Sequence, residues 1–269
     1  MGKARKPVEG DFPLLIVRKR GPKNMAMIIK MAKNVLVFRQ LLIAHFTARN
    51  IKRISTRTKN QADNPFWFLY KRCVITGTMA RRVINQNKKN EPNEKLNKYI
   101  SRFSPGKFTN EAMIYGIENE KFGINTFFKI FKKNHNNAKI NEIGLVLHKK
   151  FPFIAGSPDS IFSCSCCSSP YLVELKCPHR LAVSGIENWR VLEYFDSDQN
   201  LRNTHTYFNQ INLYQGLLGL NTAFFVVYAR GKVISKEIPF DDDFFQFQIK
   251  NIQEYYMNHY LPTVIGTKI

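Results

Sequence analysis

Residues 154–180 read IAGSPDSIFSCSCCSSPYLVELKCPHR, and the fold turns on them. An Asp follows Gly-Ser-Pro after one apolar run, a Ser/Cys-rich insert comes next, and a Glu and a Lys interrupt a second apolar run. On a strand, residues two apart share a face, so Glu174 and Lys176 sit side by side among Leu172, Val173, Leu175 and Cys177. A carboxylate and an ammonium on a buried strand are costly unless they pair or hold a metal. With 161–172 as a hairpin connection, Asp159 ends the preceding strand and returns beside Glu174. Two hard oxygen ligands and a lysine at one point suit Mg²⁺-assisted phosphodiester hydrolysis. The carboxylates would fix the cation, the cation would neutralise phosphoryl charge and acidify a water, and the lysine would orient the nucleophile or stabilise the transition state. An ordinary hairpin with a structural ion pair fits the same spacing, so the residues alone leave both readings open.

The 269 residues suffice for one large domain, or a medium domain with an extension, and 44% apolar residues suffice for its core. The longest apolar runs, such as NVLVFRQLLIAHF, are broken by Arg, Gln or His, short of the roughly 20 residues a membrane span needs. The first residues, MGKARKPVEGDF, lead into no secretory h-region. Five Cys, three of them bunched at 164, 166 and 167, do not form a secreted disulfide framework, and a reducing, intracellular setting is expected. A net charge of +21 attracts polyanions, nucleic acid first and anionic membrane second.

Up to Asn60 the only acids are Glu9 and Asp11, so residues 1–60 read as a basic extension with a helical stretch over 25–46. RKRGPK at 18–23 is a basic cluster of the nuclear-localisation kind. KNQADNP at 59–65 reads as a linker, and 61–269 as the main domain. There a helix begins near Thr76 or Thr78, a polar loop fills 87–98, and a longer helix starts at Thr109 or Asn110. Strands are expected in IGLVLHKK, FIAGSPDSIF, YLVELKC, TAFFVVYAR and KVISKEIPF. Helices are expected in HTYFNQINLYQGLLGL and from Asp241 to Leu261, the latter opened by three acids. The order makes an α+β or α/β domain with one mixed sheet.

AGSPDS…YLVELKCP resembles the motif of lambda-exonuclease-like, YqaJ-type viral recombinase nucleases, a branch of the PD-(D/E)xK superfamily. Three further stretches resemble the family's motifs in the same order: YKRCVITGTMARRV, AMIYGIENEKFGINTFF and HTYFNQINLYQGLLGL. The likeness runs from about Trp67 to Tyr228. It implies a restriction-endonuclease-like core, with a central mixed sheet flanked by helices, and a deoxyribonuclease dependent on Mg²⁺, with Mn²⁺ as substitute. Asp159, Glu174 and the backbone carbonyl of Leu175 would be metal ligands, with Glu120 joining directly or through a water. Lys176 would position the attacking water, and Gln210 would approach from the later helix. Thr78 with Arg72 or Lys71 would bind a terminal 5′-phosphate.

The resemblance implies 5′-to-3′ degradation of one strand of linear duplex DNA in recombination or replication. A single-strand-annealing or single-strand-binding partner and a homo-oligomeric ring are part of that expectation; a membrane is not. Internal cutting, another polarity as in alkaline nucleases, or an inactive DNA-binding module are the alternatives. The chain departs from the pattern at Ser160 for Gly, Asn212 for Gln and Thr78 for Ser, and its opening basic residue is out of step by about one position.

Other features have plainer readings. Cys164, Cys166 and Cys167 fit a surface turn, with only Cys177 and His179 as a distant metal-ligand complement. Glu118 faces solvent, Asp241–Asp243 cap a helix, and Tyr214 is core. Nothing in the sequence assigns chemistry to His205.

Overall fold

The computed structural model describes residues 24–101 and 110–266; the basic cluster at 18–23 and the candidate cap Thr109 lie outside them. The helical stretch 25–46 is two helices, α1 (Met25–Met31) and α2 (Val35–His45). Asn34 breaks it by leaving helical geometry, and its side chain accepts a hydrogen bond from Val37 N at 3.0 Å. Helix α3 (Ala48–Arg57) and a 3₁₀ turn (Gln61–Asp63) lead to α4 (Pro65–Lys71), whose Pro sits where a missing N–H costs nothing. Strand β1 (Ile75–Thr76) runs directly into α5 (Gly77–Asn87). The polar stretch after it contains α6 (Glu94–Ser101), capped by Asn93 on Leu96 N at 2.9 Å and held by buried Leu96 and Ile100. Helix α7 (Glu111–Phe131) starts at Asn110, whose side chain accepts from Met113 N at 2.9 Å.

Five strands follow: β2 (Lys139–Asn141), β3 (Val146–Leu147), β4 (Ile154–Gly156), β5 (Ser160–Ser163) and β6 (Tyr171–Lys176). Next come α8 (Leu181–Ser184), a 3₁₀ segment (Ile186–Val191), α9 (Thr206–Leu218), β7 (Thr222–Ala229) and β8 (Lys232–Pro239). The chain closes with α10 (Asp242–Tyr255), a π turn (Tyr256–Tyr260) and α11 (Leu261–Gly266). The principal sheet has the order β2-β5-β6-β7-β8, with β6 and β7 parallel and the other pairs antiparallel. It is the expected α+β architecture, a mixed sheet flanked by helices. No helix among the described residues is long and apolar enough to cross a membrane.

The single sheet expected from sequence is two. FIAGSPDSIF splits at 157–159, so β4 joins β1 and β3 in a separate sheet while β5 enters the main one. Pro158 has no N–H for a ladder and marks the break. Asp159 therefore stands at the junction of two sheets rather than at a strand's end.

Strand β7 is covered on both faces, which accounts for its near-continuous apolar run. Ala223, Phe225 and Val227 pack with Leu172, Ile211 and Tyr214, on the side of α9. Phe224, Val226 and Tyr228 pack with Val173, Leu175, Phe127 and Phe131, on the side of α7. A third cluster joins α1, α2 and α3 to β1, β4 and α10; in it Phe38 and Phe153 both stack on Tyr256.

Candidate active site

The β5–β6 ladder begins at Ser160 opposite Val173, so Leu175 has no strand residue beside it on that edge. The Asp159 carboxylate takes that place, its Oδ2 accepting a hydrogen bond from Leu175 N at 2.7 Å. In a strand one residue's N–H and C=O point to the same edge, so the Leu175 carbonyl faces the Asp159 side as well. Two-residue periodicity then sends Val173 and Leu175 toward α7, and Glu174 and Lys176 to the other face. There Glu174 Oε1 accepts from Lys176 Nζ at 2.6 Å and from Gln210 Nε2, on α9, also at 2.6 Å. The same Gln210 amide donates to Tyr214 Oη at 3.1 Å. Glu174 is 1% exposed, and its second oxygen, Oε2, is buried with no hydrogen-bond partner.

The charges here are under strain. Burial, with the neighbouring Asp159 charge, pushes Glu174 up to about 8 despite the lysine beside it. Burial also raises Asp159, against the pull of Lys176 and the Leu175 N–H. Burial alone would lower Lys176, but Glu174 and Asp159 outweigh it and hold the ammonium charged, 5.0 Å from the Tyr207 ring centre. An orphaned carboxylate oxygen, two carboxylates raised together and a backbone carbonyl on the same edge form a donor set suited to a hard divalent cation.

Glu120 approaches from α7. Its residue surface is open to solvent, yet its carboxyl lines a cavity of about 300 Å³ with Leu175, Lys176, Cys177, Tyr194 and Tyr207. Desolvation there, then the Asp159 charge, pushes it up to about 7. Gly123, one turn along, lets α7 lie on β6: a Cβ would meet Leu175 Cδ2 at 2.8 Å. Cys177 is held protonated, pushed up to about 12 by burial and by Glu120.

Gly156 serves the opposite face. A Cβ there would lie 2.5 Å from the Tyr214 ring, whose hydroxyl holds Gln210. Gly156→Ala is expected to cost about 1–3 kcal/mol, the usual range for overpacking, and to lower activity through Gln210. Thermal unfolding and cleavage assays on the same preparation check both effects.

The residues of the opening motif are more dispersed. Thr78 is exposed on the first turn of α5, its hydroxyl 3.1 Å from that of Thr76. Arg72 is exposed at the end of α4. Lys71 is buried, its ammonium 3.5 Å from the Trp67 ring centre, and burial lowers it to about 7. Glu118 is exposed, Asp241 caps α10 through Phe244 N at 2.9 Å, and Tyr214 is buried. His205 caps α9, its Nδ1 accepting from Tyr207 N at 3.2 Å.

Three contributors escaped the sequence reading. Gln61, in the segment read as a linker, donates from Nε2 to the Pro158 carbonyl at 2.7 Å, and Trp67, just after it, donates from Nε1 to Ser157 Oγ at 2.7 Å, so the two clamp the Ser-Pro-Asp turn. Tyr194 lines the cavity with a buried hydroxyl that has no partner. Its place in an irregular loop gives no periodic signal, whereas the indole of Trp67 could have been flagged as a polar handle needing a partner.

Residues 66–215 match the YqaJ-like viral recombinase domain family. This chain belongs to that family. Solved structures share its fold. An alkaline exonuclease (LHK-Exo) from Laribacter hongkongensis is 18% identical with a TM-score of 0.54, over 75% of this chain and 94% of that one. The shutoff and exonuclease protein from Kaposi's sarcoma-associated herpesvirus is 8% identical with a TM-score of 0.57, over 94% and 80%. A SOX–DNA complex is 9% identical with a TM-score of 0.58, over 90% and 78%. No curated protein matches this chain in sequence.

Proposed function

We propose that this protein is a Mg²⁺-dependent exonuclease, with Mn²⁺ able to substitute, that degrades one strand of linear duplex DNA from its 5′ end. The observation that carries this reading is the convergence of Asp159, Glu174 and Lys176, with Glu174 Oε2 left buried and unpartnered. Membership of a viral recombinase family and the exonucleases that share its fold support it.

Asp159, Glu174 and the Leu175 carbonyl would hold the cation, with Glu120 completing the set. When bound, it would neutralise phosphoryl charge and lower the pKa of a water. Gln210 occupies Glu174 Oε1, so it would hold the carboxylate in place and leave Oε2 available as the ligand atom. Lys176 would orient the attacking water and take up charge developing on the phosphoryl oxygens. Thr78 and Arg72 would receive the terminal 5′-phosphate, Lys71 supporting them from beneath. Residues 1–60 would add sequence-independent phosphate contacts to a nuclease unit of 61–269, and a single-strand-annealing partner or a ring of copies would extend that unit.

Linear duplex DNA labelled at either end, with Mg²⁺ or EDTA, tests this. Wild type is expected to release the 5′ label early and only with Mg²⁺, and Lys176→Ala to lose at least about two orders of magnitude in rate, about 3 kcal/mol. Equal nicking of a closed circle would overturn the exonuclease assignment, and unchanged cleavage by Lys176→Ala would overturn the site.

A further inference from the structure

A second cluster lies at the far end of the β5–β6 hairpin from the carboxylates. His135, just beyond α7, meets Cys164, Cys166 and Cys167 in the β5–β6 connection, with all four candidate ligand atoms within 4.8 Å of one another. His135 Nδ1 is 3.4 Å from Cys164 Sγ, 3.8 Å from Cys166 Sγ and 3.5 Å from Cys167 Sγ. Cys166 Sγ is 3.5 Å from Cys164 Sγ and 4.0 Å from Cys167 Sγ.

Hydrogen bonding does not account for this convergence. An imidazole nitrogen offers one hydrogen or one lone pair, so a single Nδ1 satisfies one sulfur and not three. A disulfide does not account for it either, because S–S bonds are about 2.0 Å long. A tetrahedral zinc does. With bonds of about 2.3 Å to sulfur and about 2.0–2.1 Å to nitrogen, two sulfurs lie about 3.8 Å apart and a sulfur and a nitrogen about 3.6 Å apart. The five distances scatter around those two values.

We infer that His135, Cys164, Cys166 and Cys167 form a closed structural zinc site, separate from the carboxylate site. Three cysteines and a histidine fill a tetrahedron and leave no position for substrate, so the site braces rather than reacts. Its surroundings are built for that task. Tyr171 Oη donates to Cys167 Sγ at 3.3 Å and Asn136 N to Cys166 Sγ at 3.4 Å, the donors that thiolate ligands require. The His135 ring stacks on Phe131 at 3.8 Å and 8°, with Tyr171 edge-on at 5.7 Å, which sets its orientation. Ser165 N donates to the Asn136 carbonyl at 2.9 Å, closing the two loops on each other. The zinc would tie the end of α7, which carries Glu120, to the hairpin whose other end carries Asp159, Glu174 and Lys176. A Cys-x-Cys-Cys run lacks the usual paired spacing, and its fourth ligand is 29 residues upstream in KKNHNN, whereas Cys177 and His179 are the ligand types nearest downstream in sequence. The structure puts Cys177 on the cavity wall and His179 against Tyr115 instead.

The test uses the full chain without a histidine tag, purified under reducing conditions and dialysed against EDTA. Elemental analysis is expected to find about one zinc per chain, and Co²⁺ in its place is expected to give the visible bands of a tetrahedral thiolate complex. Cys166→Ser and His135→Ala are expected to lose most of the zinc, while Asp159→Asn keeps it. Wild type with under a tenth of an equivalent of zinc, and no shift in Tm on adding zinc, would overturn the inference whether or not the variants fold. Zinc lost from Asp159→Asn but kept by Cys166→Ser would overturn it too, by placing the ion at the carboxylates.

Discussion

Glu174→Gln is expected to lower Mg²⁺-dependent cleavage by about 10³-fold or more, because a missing charged ligand removes several kcal/mol of transition-state stabilisation. Duplex binding, carried by the excess of cations, should change little. Metal-free stability supplies a second signature. Glu174 is raised from the ordinary glutamate range to about 8, so the folded chain holds a proton that the unfolded chain releases. The stability tied to this group is present below the unfolded value, near 4.3, and is lost as pH rises through about 8. Wild type in EDTA should therefore lose Tm between pH 5 and 8, and Glu174→Gln should show a flatter profile over that window. Lys176 is not stranded by the change: it still faces Asp159, and its side chain is 21% exposed. Added Mg²⁺ should restore the wild-type Tm at pH 8 and leave the variant unmoved. Equal pH profiles for the two chains would show that Glu174 is not the strained carboxylate.

The parts of this site that were legible in the sequence lie on regular elements. Glu174 and Lys176 share a face because strands alternate, and apolar Leu172, Val173 and Leu175 made that strand visible. Gln210 and Glu120 stand on long helices with clear caps, so motif order was enough to place them near the site. A hairpin connection puts Asp159 beside Glu174 as the end of a strand; in the fold it lies at a break between two sheets and substitutes for a ladder partner of Leu175. Contacts across long sequence separation left no such trace. Gln61 and Trp67 reach Pro158 and Ser157 across 97 and 90 residues, and nothing periodic announces that. His135 joins the three cysteines in the same way, through a loop whose composition reads as plain polar connection. Two-residue strands such as β1 and β3 are also too short to show alternation, and their pairing with β4 is decided by packing alone.

Gln210→Glu carries the other large expectation, since it tests whether the glutamine is there to be neutral. Its Nε2 lies 2.6 Å from Glu174 Oε1 and 3.1 Å from Tyr214 Oη, inside the protein, so an isosteric carboxylate would meet a buried carboxylate at hydrogen-bond distance. Two such groups cannot both be ionised; they would share a proton, as carboxylate dyads do. In EDTA at pH 8 the variant should be less stable than wild type by about 3–5 kcal/mol, the range for an uncompensated buried charge. The new carboxyl has its folded pKa raised, so that loss should fade as pH falls toward the unfolded value near 4.3, where the proton is held in both states. Gln210→Met keeps the volume and removes the donor without adding charge, so its stability change should not vary with pH. Both variants should lose activity, because Glu174 Oε1 loses the amide that fixes the carboxylate, but only the glutamate should show the acid rescue in Tm. A pH-independent Gln210→Glu would mean that water reaches this pair, and the buried, orphaned Oε2 on which the cation site rests would then have a solvent partner.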